Sequence, residues 1–247
     1  MQVYIFIIAC ALISLSILWV FTYKFVPVHF TPLMLLRKIE HRNEKKYKNK
    51  KIWIKLKNIP EEIQKIFILA EDAFFYHHCG FDFYIIIRAI DRKILNGERI
   101  SGVSSISQQC ARSVFLLPAR SVLRKLLEAY FTILIEIIWK KERILEVYLN
   151  VIEISKGIWG LEAAAKEFFN KSAKNLTPYE AGLIAACLPV PLERNPKMPD
   201  IQTKKLAEEI LERKMPDKET AKSRTKLKKL RHYIQKYNLY MSKIFKK

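Results

Sequence analysis

The chain has 247 residues, half of them hydrophobic, so it can bury the core of one domain and still carry an appended segment. Its formal net charge of +20 favours an anionic partner, which can be nucleic acid, lipid headgroups or a polyanionic substrate. The four cysteines stand far apart with no Cys-x-x-Cys pair, so a zinc site built on such a pair is excluded.

The first predicted element is an apolar helix at residues 1–23, which carry no charged side chain. About 20 apolar residues are enough for a helix to cross the hydrocarbon layer, so we predict an uncleaved membrane anchor. A cleaved signal peptide is the alternative, although the segment has neither a basic n-region nor a small-residue cleavage site. Basic residues begin after the span, at Lys24, where the positive-inside rule favours a cytoplasmic body. Because long domains translocate largely regardless of charge, this pattern leaves the orientation open.

Composition and periodicity divide the rest of the chain into three further regions. A basic juxtamembrane connector follows the anchor, and helical periodicity begins near Asn58. From Ile201 to Lys247 there are 15 Lys and Arg against 5 Asp and Glu, which predicts a helix that lies on anionic lipid or presents a solvated basic face. The predicted boundaries are 1–26 for the anchor, 27–57 for the connector, 58–202 for the main domain and 203–247 for the basic helical tail.

The apolar periodicity of the main domain and tail is that of helices. Predicted helices, in chain order, cover residues 60–77, 83–95, 120–139, 141–154, 160–170, 177–188 and 203–247, the last broken at Pro216. A Gly/Ser-rich break is predicted at 96–107. Thr177 is predicted to cap its helix, with Pro178 in the first turn and Glu180 at the third position. No convincing alternating strand is present, so the predicted fold class is mainly α.

The stretch AEDAFFYHHCGFD, residues 70–82, sets a carboxylate among aromatic side chains. Burial of Glu71 there would disfavour its charged form and raise its pKa toward the range where a side chain exchanges protons near neutrality. A surface carboxylate or a helix cap is the alternative. The neighbouring His77, His78 and Cys79 do not predict a metal site, because adjacent residues cannot readily converge on one ion and no other His or Cys cluster completes a shell.

A second stretch, GVSSISQQCARSVFLLPARSVLRKLLEAYF at residues 102–131, combines polar and basic side chains. Such a set suits a polyhydroxylated substrate that bears phosphates, because guanidinium groups pair with phosphate oxygens in a bidentate manner. Its members are Ser104, Ser105, Gln108, Gln109, Arg112, Arg120, Arg124 and Lys125. A nucleic-acid surface is the alternative. Glu128 lies four residues after Arg124, so it can equally be one half of an ordinary helix ion pair.

Four stretches resemble, in order and spacing, the signature blocks of the peptidoglycan glycosyltransferases. They are EDAFFYHHCGFD, GVSSISQQCARSVFL, RKLLEAYFTILIE and KERILEVYLNVIEISKGIWGLEAAAKEFFNK. The resemblance covers residues 58–196, which is more than half of the chain. The lone anchor and the ending LTPYEAGLIAACLPVPLERNP are similar to the monofunctional, biosynthetic transglycosylase type.

The resemblance implies a mainly α, lysozyme-like, two-lobed fold and an enzyme that polymerises lipid II into glycan strands. Glu71 would be the general base for the acceptor 4-hydroxyl, which attacks the anomeric carbon of the donor with inversion as lipid pyrophosphate leaves. Glu128 would be the second essential carboxylate. Arg112 and Arg120 would hold the pyrophosphate, whose developing negative charge needs nearby cations.

Other matching positions are implied to line or support the substrate cleft. Those implied to contact substrate are Ser104, Gln108, Gln109 and Lys125. Those implied to shape the cleft around the first block are Asp72, Phe75 and His78. The family requires no cofactor, although some members use a divalent cation, Mg²⁺ or Mn²⁺. This sequence departs from the family at Arg112, where Lys is usual, and at Ser155, where Gly would ease a turn.

The resemblance also implies a single-pass protein of a bacterial cytoplasmic membrane, with its catalytic domain on the outer face. Its partners would be lipid II, the growing glycan strand, the bilayer and other cell-wall synthesis proteins, with no nucleic acid. The basic residues after the span would contact headgroups, and residues 83–101 would dip toward lipid and gate the cleft. A lysozyme-like glycan hydrolase is one alternative, and it would have no use for a pyrophosphate cluster. A non-catalytic basic membrane adaptor is the other, and it would keep the charge but need neither Glu71 nor Glu128.

Overall fold

The protein is mainly helical, as predicted. The computed structural model describes residues 2–44, 47, 49–97, 103–119, 121–217 and 220. The α-helices in these residues are Gln2–Phe25 (α1), Pro32–Glu40 (α2), Glu61–Glu71 (α3), Phe83–Asn96 (α4), Ile106–Phe115 (α5), Val122–Ile138 (α6), Lys141–Val151 (α7), Leu161–Phe169 (α8), Pro178–Cys187 (α9) and Ile201–Glu212 (α10). Three short strands, Lys50–Lys51 (β1), Glu153–Ser155 (β2) and Ile158–Trp159 (β3), form one sheet ordered β1-β3-β2, with β1 parallel and β2 antiparallel to β3.

The apolar helix α1 is joined to the main domain along its second half. Of the described residues, only this helix has the length and hydropathy to cross a membrane. Side chains of α7 and of the end of α6 donate hydrogen bonds to backbone carbonyls near the end of α1. Trp139 Nε1 donates to Val20 O at 2.8 Å, and Arg143 donates to Tyr23 O from Nε at 3.0 Å and from Nη2 at 2.7 Å. These bonds hold the end of α1 in a defined position.

Helix α9 passes through the core, where its residues 181–187 are all buried. Its predicted capping box is confirmed. The Thr177 hydroxyl accepts a hydrogen bond from Glu180 N–H at 3.3 Å, and the Glu180 carboxylate accepts one from Thr177 N–H at 2.8 Å. Pro178 occupies the first turn, where its missing N–H costs nothing.

Helix α10 packs on both α9 and α3. Its apolar side, with Ala207 and Ile210, is buried against these helices. The helical pattern predicted over 203–247 is therefore present in its first part, and residues 218–219 and 221–247 lie outside the described residues. Because α3 ends at Glu71, the packing of α10 on α3 affects the position of the Glu71 carboxylate.

The helix predicted over residues 60–77 is shorter than its apolar spacing indicated. Helix α3 ends at Glu71 because the backbone of Asp72 is not helical, with φ −159° and ψ 73°. A single 3-10 turn, Phe75–His77, follows. The aromatic residues of the motif therefore pack from a turn, and the carboxylate of Glu71 stands at the end of a helix.

Helix α5 was not predicted, because residues up to 107 read as a break and the next helix was expected only from residue 120. A capping box starts α5: the Ser105 hydroxyl accepts from Gln108 N–H at 3.1 Å, and Gln108 Oε1 accepts from Ser105 N–H at 3.1 Å. Serine followed three residues later by glutamine is the sequence signal for such a start. The polar run is therefore the buried first turn of a helix.

The helix predicted over 141–154 ends at Val151, where the chain enters the β2–β3 hairpin. Gly157 supplies the left-handed conformation of this hairpin, with φ 72°, so an extended Ser155 is accommodated in β2. Gly160 has φ 79°, and a Cβ there would lie 2.7 Å from the carbonyl oxygen of Asn150. Only glycine fits at this close approach of two backbones.

Candidate active site

The carboxylate of Glu71 stands at the end of α3 and is bound by a side chain of α5. Gln109 donates from Nε2 to Glu71 Oε2 at 2.7 Å. Within the described part of the chain this is the one hydrogen bond made by the carboxylate, so Oε1 is left to accept a hydrogen bond from a substrate hydroxyl. The structure thus brings together the predicted residues Glu71 and Gln109 from two separate motifs.

A buried tyrosine on α7 orients the amide of Gln109. Tyr148 is fully buried, and its hydroxyl donates to Gln109 Oε1 at 3.5 Å. Burial raises the pKa of Tyr148 well above its usual value, so the hydroxyl stays protonated and acts as a donor. The amide oxygen therefore faces Tyr148, and the amide NH₂ faces Glu71. The same Nε2 lies 3.4 Å from the carbonyl oxygen of Ser104.

The pKa of Glu71 is raised above 4.5, chiefly because burial disfavours the charged carboxylate. The hydrogen bond from Gln109 and the positive charges of Arg112 and Arg213 act in the opposite direction, and the charge of Asp72 adds to the rise. The direction agrees with the sequence prediction. A raised carboxyl pKa suits proton exchange, because a general base is most effective when its pKa lies near the working pH.

Arg112 lies three residues after Gln109 on α5, so the two side chains occupy one side of the helix. Its positive charge lowers the pKa of Glu71 and opposes the rise in the pKa of Tyr148, which places the guanidinium near both groups. Arg112 is half-buried. A cation in this position can attract an anionic leaving group beside the carboxylate.

Arg213 follows α10 and braces the end of α3. Its Nη1 donates to Leu69 O at 3.0 Å and lies 3.5 Å from Ala70 O. These carbonyls belong to the last turn of α3, where helical partners are missing and a positive charge is favourable. Since the same charge lowers the pKa of Glu71, Arg213 affects both the position and the basicity of the carboxylate.

Asp72 connects the end of α3 to the start of α5. Its buried carboxylate accepts from His78 Nε2, which lies 3.0 Å from each oxygen, and from Ile106 N–H at 3.1 Å. Phe75 is completely buried beneath this junction, and the ammonium of Lys141 lies 4.5 Å from its ring centroid. Asp72 therefore joins the end of the helix that carries Glu71 to the start of the helix that carries Gln109, and His78 binds the same carboxylate.

Ser104 and Gln108, which the resemblance places on the substrate wall, have different environments. Gln108 is buried, and its side chain is engaged in the capping box of α5. Ser104 is half-buried, and its carbonyl lies beside Gln109. The Ser105 hydroxyl donates a hydrogen bond to the carbonyl of Gly80, which connects the start of α5 to the stretch at residues 70–82.

Glu128 is completely buried on α6 and is paired with two cations of its own helix. Arg124 Nη1 donates to Glu128 Oε2 at 2.6 Å, and Lys125 Nζ donates to Oε1. The ordinary i,i+4 pair considered from the sequence is therefore present, with a second cation added. Within the described residues, Glu128 makes its side-chain hydrogen bonds to α6 and none to Glu71.

Three further residues considered from the sequence are Arg120, His77 and Cys79. Arg120 lies outside the described residues. His77 and Cys79 are exposed. In the described part of the chain no three His, Cys, Asp or Glu side chains are grouped as metal ligands. The amide and guanidinium groups around Glu71 do not suit a resident cation, and no step is assigned to one.

Tyr148 and Arg213 are the site residues that sequence reasoning did not identify. Tyr148 lies in an apolar helical stretch, where one tyrosine is typical of a core position. Arg213 lies in the basic stretch LERKMP, where it looks like one solvated charge among many. The only sequence signal for Tyr148 is its place within the fourth block, and no local signal marks Arg213.

Together these elements define a helical domain whose site pairs a half-buried carboxylate with arginine side chains. A family model described as Transglycosylase matches residues 37–215. The chain is 49% identical to a biosynthetic peptidoglycan transglycosylase of Bdellovibrio bacteriovorus over 71% of this chain and 70% of that protein. Proteins of the same name from Caulobacter vibrioides and Bacteroides thetaiotaomicron are each 43% identical, over 74% and 79% of this chain and 77% and 79% of their own lengths.

The family model matches residues 37–215, which is most of the chain, and these three relatives are 43–49% identical to it. The chain therefore belongs to the transglycosylase family. The matched range runs through α10 and includes Arg213, so the brace at the end of α3 lies within the family domain.

Proposed function

We propose that this protein is a peptidoglycan glycosyltransferase that polymerises lipid II into glycan strands, with Glu71 as the general base. The observation that carries the proposal is the half-buried carboxylate of Glu71, which is bound by Gln109 on one oxygen, has a raised pKa and lies near Arg112. The names of the relatives support the same substrate class.

In the proposed reaction, Glu71 Oε1 accepts the proton of the acceptor 4-hydroxyl as the hydroxyl oxygen attacks the anomeric carbon of the donor. The new glycosidic bond forms as the bond to the lipid pyrophosphate breaks, and the configuration at the anomeric carbon inverts. Gln109 holds Oε2, so the carboxylate keeps one orientation during the transfer. The raised pKa makes Glu71 a stronger base than an exposed carboxylate.

The leaving pyrophosphate gains negative charge as its bond to the sugar breaks. We assign its stabilisation to Arg112 and Arg120, because preorganised cations lower the energy of such a transition state. Glu128 is proposed to act as the second essential carboxylate by holding Arg124 and Lys125 at fixed positions on α6. Ser104 and Gln109 would contact the sugars from the start of α5, and Gln108 would act by capping that helix.

The proposed setting is the outer face of a bacterial cytoplasmic membrane, with α1 as a single membrane span. The length and hydropathy of α1 support the span. A lipid-linked substrate supports an active site near the membrane surface, and the bonds from Trp139 and Arg143 to the end of α1 would hold the domain there.

The full chain, purified in detergent, should convert lipid II into glycan strands that are resolved by gel electrophoresis. Glu71→Gln should abolish polymerisation and keep the far-UV circular dichroism of the native protein. Undiminished polymerisation by this variant would exclude Glu71 as the base.

Two further substrates separate the alternatives. Release of soluble fragments from intact sacculi without lipid II turnover would identify a glycan hydrolase. Binding to membranes with no turnover of either substrate would identify a non-catalytic adaptor.

A further inference from the structure

A cavity lies beside the connector that follows α1, apart from Glu71. Its volume is about 290 Å³, and its described lining consists of His29, Phe30, Met34, Asn49, Lys51 and Trp53. This volume is close to the lower end of the range for small-molecule sites, about 300 Å³. The lining combines one ammonium, one amide and one imidazole with apolar side chains. It has no carboxylate among the described residues.

The ammonium of Lys51 is a partly buried cation without an anionic partner among the described residues. It donates one hydrogen bond, to the carbonyl of Val28, and lies 5.5 Å from the ring centroid of Trp53. Burial lowers the pKa of Lys51 from 10.5 to about 8, so the group still carries a positive charge at neutral pH. A buried charge is costly unless it is paired, and two of its three N–H donors remain available to an anion.

Lys50 and Lys51 are neighbours in β1, but among the described residues only Lys50 has an anionic partner. Both lysines belong to β1, whose alternate side chains point to opposite faces. Lys50 forms an ion pair with Glu167. Lys51 instead points to the connector, where the lining side chains offer hydrogen bonds and apolar contacts but no negative charge.

The cavity adjoins the end of α1. The 24 residues of α1 extend for about 36 Å at 1.5 Å per residue, somewhat longer than the hydrocarbon core of about 30 Å. His29 and Phe30 follow closely after the helix ends at Phe25, and both are exposed. Trp53, on the cavity wall, lies 5.3 Å from the guanidinium of Arg143, which binds the last turn of α1.

We propose that this cavity is a binding site for the phosphate of an anionic phospholipid headgroup. Lys51 supplies the positive charge and Asn49 an amide donor, while Phe30, Met34 and Trp53 contact the apolar part of the lipid next to the glycerol. A phosphate here completes the hydrogen bonds of the Lys51 ammonium. The bound lipid fixes the height of the catalytic domain above the bilayer, because the same wall is joined to α1 through Arg143.

Native mass spectrometry of the full chain in detergent tests the site, with equimolar phosphatidylglycerol and phosphatidylcholine as probes. The native protein should retain phosphatidylglycerol in preference to phosphatidylcholine. Lys51→Met should reduce this preference about fivefold, since one lysine near the membrane surface contributes about 1 kcal/mol to anionic lipid binding. Lys51→Arg should keep it. The matched control is Lys197→Met, which removes one exposed cation from the segment between α9 and α10 and should leave the preference unchanged.

A second measurement uses the native chain and does not depend on a variant that folds. In nanodiscs, a limiting amount of an amine-acetylating reagent should modify Lys51 more slowly in phosphatidylglycerol than in phosphatidylcholine. The exposed Lys55 should show no such difference.

Three results would overturn the proposal. The first is equal lipid preference in Lys51→Met and the native protein. The second is an equal loss in Lys197→Met, which would reduce the effect to general surface charge. The third is displacement of the lipid by millimolar inorganic phosphate with the same dependence on Lys51, which would identify a free phosphate as the ligand.

Discussion

The two acidic side chains of the proposed site, Glu71 and Glu128, are held in opposite ways. Glu71 receives one hydrogen bond from a neutral amide on another helix, and its pKa is raised. Glu128 is completely buried, and each of its oxygens is bound by a cation of its own helix. A carboxylate with one oxygen free can accept a proton from a bound hydroxyl, whereas one bound by two cations fixes the positions of those cations. The contrast supports the proposed division of roles, in which Glu71 accepts a proton and Glu128 holds two cations in place.

The largest expected effect is the loss of activity in Glu71→Gln, which removes the carboxylate that is proposed to accept the proton. Removal of a general base lowers rates by about 10²–10⁴-fold, so polymerisation of lipid II should fall by this amount in a continuous assay. The control is Glu62→Gln, an exposed change in the first turn of the same helix, which should retain native activity. A loss below tenfold in Glu71→Gln would argue that another group takes the proton.

The same variant should also change the pH dependence of stability. A raised carboxyl pKa means that the folded state binds the proton more tightly than the unfolded chain. The native free energy of unfolding should therefore fall as pH rises from 4.5 through the raised pKa of Glu71, and then level off. Glu71→Gln removes this contribution, so its stability relative to the native protein should increase over that interval. Urea titrations at several pH values measure the difference, and parallel curves would contradict it.

Glu128→Gln should reduce stability, because it leaves Arg124 and Lys125 without their counter-charge. Loss of hydrogen bonds to a charged group costs about 2 kcal/mol, which urea denaturation in detergent would detect. The matched control is Glu61→Gln, which breaks the exposed Glu61–Lys65 pair on α3 and should leave the free energy of unfolding nearly unchanged, because solvent screens such a pair. Equal losses in the two variants would show that burial of Glu128 has no energetic consequence.

Gln109→Leu tests the hydrogen bond to Glu71, because it removes the donor at nearly constant side-chain volume. Its hydrogen bond lowers the pKa of Glu71, so without it the acidic limb of the pH–rate profile should move to higher pH. Activity on the acidic side should fall about tenfold, as expected for a hydrogen bond to a charged group. An unchanged acidic limb, with activity lowered equally at all pH values, would mean that Gln109 only contacts substrate.

Sequence reasoning identified Glu71, Gln109 and Arg112 because each lies in a short stretch with its own pattern or block. It also identified Thr177 as a helix cap, since a cap depends on residues three positions apart. It did not identify α5, because the serines and glutamine that read as a loop act as the capping box of a buried helix.

Tyr148 and Arg213 were missed for a different reason, since their roles come from packing between distant parts of the chain. The contact of Arg213 with α3 exists because α10 folds back over α9 and α3. Nothing in the residues adjacent to Arg213 encodes that partner. Local patterns therefore located the carboxylate, and tertiary structure determined which charges tune it.

Arg213 provides the smallest and most specific test of that conclusion. Arg213→Gln removes a cation that lowers the pKa of Glu71 and caps the last turn of α3, so the acidic limb should move to higher pH while activity at alkaline pH stays close to native. Lys214→Gln removes the same charge from the adjacent exposed residue and should leave the profile unchanged. Arg213→Lys should restore the acidic limb in part, because it keeps the charge but not the planar donor group. A profile for Arg213→Gln that matches Lys214→Gln would show that the brace holds α3 without tuning the base.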